Sequence, residues 1–435
     1  MIQLFIYVIF LFAFFGNSLV SYGLIPPQAT LVTEAFVYLL FLYSIVFKIR
    51  FKTERYSIHL WYPFGLFLII AFCSIIINNY YNFKPILSLR VILRFYLFYL
   101  ALINLGLDES LLKKINKLLF ILFIIQLPVV AYKFSIYGIN ELTIGSYAAR
   151  GGGLTAIIPI VALGYIAGYY FFYKRKTSYV VLAIGFILFG IAGEKRVLLF
   201  VYPIVFMGIY FLAYIVGKKE RILKHIVVIV CVAVLSIAVS AVIIKYHKGF
   251  NYYSDGTIDF ARAFQYAKKY TTAKHEGASG TVAGGRAAMM QLAVEIAFKY
   301  GNFMFGFGPG SLTTSIVDKT ADIRLLPIYR SYGQTGFVLI LIEYGFLGLI
   351  AISLLFIVFA YRCWKWYKIE REPYWRAFAM GSLIFTAYNT LIFFGYSTSP
   401  LNSDTITPVY YYAMAAMFVR MKEIAKVKET ERLSV

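Results

Sequence analysis

Five arginines stand where a cation needs an anion: Arg90, Arg94, Arg150, Arg196 and Arg286. Arg286 is the sharpest case. On a wheel of about 100° per residue it falls with Met289, Met290, Ala293, Ile296, Ala297 and Tyr300, while Gln291, Glu295 and Lys299 take the other side. It also opens the helix, directly after Gly284 and Gly285, where the positive end of the helix dipole repels a cation unless an anion lies between them. Guanidinium forks bind phosphate oxygens bidentately, so the ligand this pattern points to is a phosphate or pyrophosphate.

The other four are weaker signals of the same kind. Arg90 and Arg94, in SLRVILRFYLFY, share one helix face within an apolar stretch that holds no acid. They are either snorkelling or carbonyl-bonded arginines, or anion ligands. GEKR, with Glu194, Lys195 and Arg196, is a charged hairpin between two apolar runs, and its plain reading is a solvated turn with a Glu194–Arg196 pair. Arg150 precedes three glycines whose N–H groups allow close approach of a ligand.

What must position these residues is a membrane bundle. With 61% hydrophobic and only 14% charged residues among 435, the chain is too apolar for a water-soluble globule. Twelve apolar stretches of bilayer length are expected: 2–22, 29–47, 60–78, 86–106, 117–137, 154–173, 177–193, 197–216, 225–245, 334–361, 376–396 and 405–420. The first has no basic n-region or convincing cleavage site and is read as a span. The expected fold is an all-α polytopic membrane protein: nine transmembrane helices in 1–245, a large extracytoplasmic loop at 246–333 with short helices, three more helices in 334–420, and a tail at 421–435.

Charge sets the orientation. Lys48, Arg50, Lys52 and Arg55 fill one loop, Lys113, Lys114 and Lys117 the next such loop, then Lys174 to Lys176, Lys218 to Lys224, Arg362 to Arg376, and the tail from Arg420, while alternate loops are nearly bare. By the positive-inside rule these segments and both termini are cytoplasmic, and most of the +22 net charge is a topology signal rather than a nucleic-acid footprint. Any chemistry then faces outward, in the plasma membrane of a bacterium, where ATP is absent. No Gly-x-x-x-x-Gly-Lys-Ser/Thr loop occurs either, so an activated lipid-linked substrate is the expected energy source. The three cysteines suggest no disulfide, and the four scattered histidines lack metal-ligand spacing, so neither metal nor cofactor is expected.

A hydroxyl acceptor needs a base or hydrogen-bond acceptor, for which His275, Glu276, Glu295 and Glu343 are candidates. Glu295 is at i,i+4 from Lys299, the spacing of a surface pair. Glu343 lies within a span, where a carboxylate is costly unless used or paired, and is the better candidate.

Taken in order, these pieces resemble the bacterial O-antigen ligase and polymerase superfamily, membrane glycosyltransferases acting on undecaprenyl-pyrophosphate-linked sugars. The resemblance rests on ARGGGLTAIIPIVALGYIAGYY, the GEKR hairpin, GGR followed by a helix and FGFGPGS, and IEYGFLGL, within about residues 140 to 350. It implies a GT-C-like fold in which Arg196 and Arg286 hold the donor pyrophosphate. On physical grounds Glu343 is the candidate to serve the acceptor, Arg150, Arg90 and Arg94 are second-rank anion ligands, and Glu194 and Gln334 are expected to contact substrate. Ligases of the superfamily carry a His-Asn pair where this chain has Gln334, which favours a polymerase over a ligase. Its partners would be the undecaprenyl-pyrophosphate-linked oligosaccharide, membrane lipids and a chain-length regulator. A flippase or transporter is the rival class, but no internal repeat is visible and the outer segment is long.

Overall fold

The computed structural model describes residues 2–48, 61–78, 84–147, 154–193, 274–276, 282–312, 334–397 and 406–433, with isolated positions elsewhere. Its helices are α1 (Ile2–Ser21), α2 (Val32–Lys48), α3 (Trp61–Ile77), α4 (Lys84–Asn104), α5 (Glu109–Tyr137), α6 (Leu154–Phe172), α7 (Thr177–Ala192), α8 (Arg286–Lys299), α9 (Gly336–Ile369), α10 (Pro373–Gly395) and α11 (Ile406–Leu433). A 3-10 turn at Pro27–Leu31 leads into α2. Among the described residues, six segments are long and apolar enough to cross a membrane: Ile2–Ser21, Pro27–Phe47, Lys84–Asn104, Glu109–Tyr137, Gly336–Ile369 and Pro373–Gly395. α3, α6 and α7 are apolar but shorter. The chain is a multi-pass membrane protein.

Three features depart from the expected layout. An antiparallel hairpin pairs β1 (Lys274–Glu276) with β2 (Val282–Gly284), so the segment between 246 and 333 is not purely helical. α11 runs through the basic tail instead of ending at the membrane boundary, since the tail's Lys, Glu and Arg residues are strong helix formers. α9 is not continuous: Gly345, at φ 72° and ψ −170°, breaks it into two halves. The expected spans at 197–216 and 225–245 lie outside the described residues, apart from single helical positions.

The chain forms two compact units, one of residues 1–120, 271–362 and 390–435, the other of 121–270 and 363–389. In the first, α4 is central, packing against α2 and α11. Its interior is aromatic: Phe64 stacks on Tyr96 at 3.6 Å between centroids, and Tyr412 meets Tyr96 and Tyr99 edge-on or tilted. In the second, α6 and the 373–389 part of α10 approach closely where both carry small residues. A Cβ on Gly168 would stand 2.8 Å from the Ala377 carbonyl and 2.9 Å from the Gly381 nitrogen. Such close backbone approach is how membrane helices gain packing contact when burial from water drives nothing.

Candidate functional site

The glycine-rich segment after α8 closes onto the break in α9. Interrupting a helix frees backbone groups, and at membrane depth each must find a partner. Here the loop supplies them. Phe307 N–H donates to the Ile342 carbonyl at 2.7 Å and Gly308 N–H to the Glu343 carbonyl at 3.1 Å. In return Phe346 N–H donates to Phe303 O at 2.8 Å and Leu347 N–H to Met304 O at 3.2 Å. The C-terminal end of α3 adds Ser74 Oγ, which donates to the Glu343 carbonyl at 3.3 Å, and Asn78 Nδ2, which donates to Gly306 O at 2.9 Å. Asn302 donates to both Asn78 Oδ1 and Gly306 O. Phe303 stacks between Phe298 and Phe346, with centroids 4.2 and 5.3 Å away.

Glu343 sits at this junction with 1% of its surface exposed. Its Oε1 accepts the Leu312 N–H at 3.1 Å, so the carboxylate holds the far end of the loop as well as lying inside a span. The N–H groups at the start of the second half of α9 are satisfied by loop carbonyls, which makes the break a backbone interlock. Thr335 caps α9 by accepting Val338 N–H at 3.3 Å, and Gln334 stands half-buried just before that cap.

Arg286 opens α8. Of the residues on its side of the helix Met289, Ala293, Ile296 and Ala297 are buried, Met290 is half-buried and Tyr300, at the helix end, is exposed, while Gln291, Glu295 and Lys299 on the other side are exposed. Gly285 precedes it in extended conformation and gives no side-chain cap. The half-buried guanidinium lies over the Tyr396 ring, 4.0 Å from its centroid, and its Nε donates to the Tyr396 carbonyl at 2.9 Å. That carbonyl is just past the end of α10, where the helix dipole is negative. The partner is therefore a dipole and a ring face. Among the described residues no carboxylate pairs with Arg286.

Arg90 and Arg94 find their anion inside the protein. Glu34, in the first turn of α2, meets Arg90 Nε at 3.1 Å through Oε1 and Arg94 Nη1 at 3.3 Å through Oε2. The Tyr38 hydroxyl donates to Oε1 at 2.9 Å. One carboxylate balances one of two guanidiniums, so the group keeps a net positive charge. Residues 88 and 90 are about 200° apart on a helix. The arginines therefore face α2 while Ser88, with Lys84, packs against Gly310 of the loop. Glu34→Ala is expected to lower stability by about 3 kcal/mol, mostly through Arg94, because Arg90 is 37% exposed and screened. The thermal midpoint of the detergent-purified chain checks this; an unchanged midpoint would mean the arginines are solvated.

Arg90, Arg94, Arg286, Gln334 and Glu343 all belong to the first compact unit. Arg150, Glu194 and Arg196 lie outside the described residues, and of His275 and Glu276 only the backbone, on β1, is described. Glu295 accepts from Gln291 Nε2 at 2.9 Å on the exposed face of α8, a surface contact. Among the described residues, two buried side chains of charged type escaped the sequence reading. Glu34 belonged to a different span from its arginines, so no local spacing linked them. Lys133, 4% exposed, donates to the Gly145 carbonyl at 3.3 Å in the second unit. No family model matches the chain, and no curated protein matches it.

Proposed function

We propose that the chain is a metal-independent membrane glycosyltransferase of the polysaccharide-polymerase kind. It would transfer a glycan from an undecaprenyl-pyrophosphate donor to the sugar end of another lipid-linked unit, on the outer face of a bacterial plasma membrane. The observation that supports this is the guanidinium of Arg286, half-buried at a helix N-terminus and paired with a carbonyl and a ring in place of a carboxylate. A carbonyl carries no net charge, so the arginine keeps its positive charge for an anion. Loss of a pyrophosphate needs that charge more than covalent help, and a preorganised donor in a water-poor site supplies it at no cost in reorganisation. Within this reading Arg196 and Arg150 are further anion ligands, Arg90 and Arg94 add the net positive charge they keep around Glu34, and Gln334 and Glu194 contact sugar.

Glu343 is the carboxylate proposed to serve the acceptor hydroxyl. Glu343→Gln keeps an oxygen for the Leu312 N–H but removes the basic one, so folding should persist while chain growth falls about 100-fold or more. Unchanged growth would leave Glu343 as a loop anchor alone. The assignment of class is tested in a deletion strain: a polymerase mutant displays single repeat units on its surface glycan. A ligase mutant displays none, and a flippase mutant accumulates units inside; either pattern would overturn the reading.

A further inference from the structure

An open hollow of about 570 Å³ at the lysine-bearing end of α5 is lined by Glu109, Ser110, Lys113, Lys114 and Lys117. Positions 110, 113, 114 and 117 follow i, i+3, i+4 and i+7, which aligns their side chains on one helix face. Acids balance only part of this charge. Glu109 pairs with Lys113 at 2.8 Å, and Asp108 caps the helix by accepting Leu111 N–H at 2.9 Å. Lys114 and Lys117 are exposed, and among the described residues neither has a carboxylate partner.

Helix length decides what these lysines face. α5 has 29 residues, about 44 Å at a rise of about 1.5 Å each, against a hydrocarbon layer of about 30 Å. Its apolar run begins after Lys117, so the turns bearing the lysines stand among lipid phosphates while the rest of the helix crosses the acyl layer. A cationic surface at that depth, on a helix whose following residues are apolar, matches the headgroup of a phospholipid.

We propose that Lys114 and Lys117 bind the phosphate of an anionic phospholipid headgroup in this hollow. Basic residues at a membrane surface each strengthen anionic-lipid binding about fivefold. The test uses the full chain in neutral detergent, titrated with phosphatidylglycerol, with phosphatidylcholine of the same chains, or with inorganic phosphate, while the thermal midpoint is followed. Phosphatidylglycerol should raise the midpoint well below the concentration at which phosphatidylcholine does. The K114Q/K117Q variant should need about 25-fold more of it, K117Q alone about fivefold more, and K114R/K117R about the parental amount. An unshifted titration in K114Q/K117Q, or in K117Q should the double variant fail to insert, overturns the proposal. So does a full rise with inorganic phosphate alone, which would make this a free-anion site.

Discussion

Arg286→Ala is expected to abolish long surface glycan while leaving the amount of membrane-inserted chain unchanged. Two magnitudes separate the functional from the structural effect. Removing the side chain loses one hydrogen bond to a carbonyl and one ring contact, together about 2 kcal/mol. That is a modest fraction of the usual stability of a folded protein, about 5–15 kcal/mol. Removing a preorganised donor from a charge-developing site, by contrast, lowers turnover about 100- to 1,000-fold. Chain length should therefore collapse long before the protein does. Arg286→Lys keeps the charge but loses both the Nε donor to Tyr396 and the planar fork, so it should fail as well. The measurement is glycan length on gels from a complemented deletion strain, with the protein quantified in the same membranes. Normal chain lengths in Arg286→Ala would remove Arg286 from the site.

Legibility in the sequence followed the range of the interaction. The long membrane helices were readable because each is a mostly apolar run of bilayer length, and the inward side of α8 was readable because a helical period places Arg286 with Met289, Ala293, Ile296 and Ala297 from spacing alone. Glu34 was not readable as the partner of Arg90 and Arg94, because salt bridges between residues 56 and 60 apart leave no trace in local pattern. The absence of an acid in the arginines' own span left snorkelling, carbonyl bonding and a ligand anion all open, and it carried no information about an acid on another span. For Arg286 the same argument met a different outcome, since a backbone carbonyl at a helix end satisfied the Nε without supplying charge. The glycines at 301, 306, 308 and 310 all take positive φ, and the loop they build closes onto α9. Its target stayed hidden because Gly345 sits among residues of helical composition, and one glycine in IEYGFLGL does not distinguish a helical position from a break.

That break is where a single methyl group should do the most damage. At φ 72° and ψ −170°, Gly345 occupies backbone space that is essentially closed to residues with a Cβ. A Cβ built there would overlap the Met304 carbonyl and come within 2.5 Å of the Phe305 nitrogen. Neither can move aside, because Met304 O is held by Leu347 N–H and the loop on either side is bonded to α9 and to Asn78. Strain and overlap together put the cost of Gly345→Ala at about 3 kcal/mol or more. The same exchange at Gly65, helical and with open space around its Cβ, should be neutral or gain up to about 1 kcal/mol in helix propensity. Thermal midpoints of the two purified variants, with their abundance in membranes, make the comparison. If Gly345→Ala matches Gly65→Ala, the interlock does not hold the loop. If it falls as expected, Glu343 and the chain leading back to Arg286 depend for their placement on a hydrogen-bonded seam that only a glycine at 345 permits.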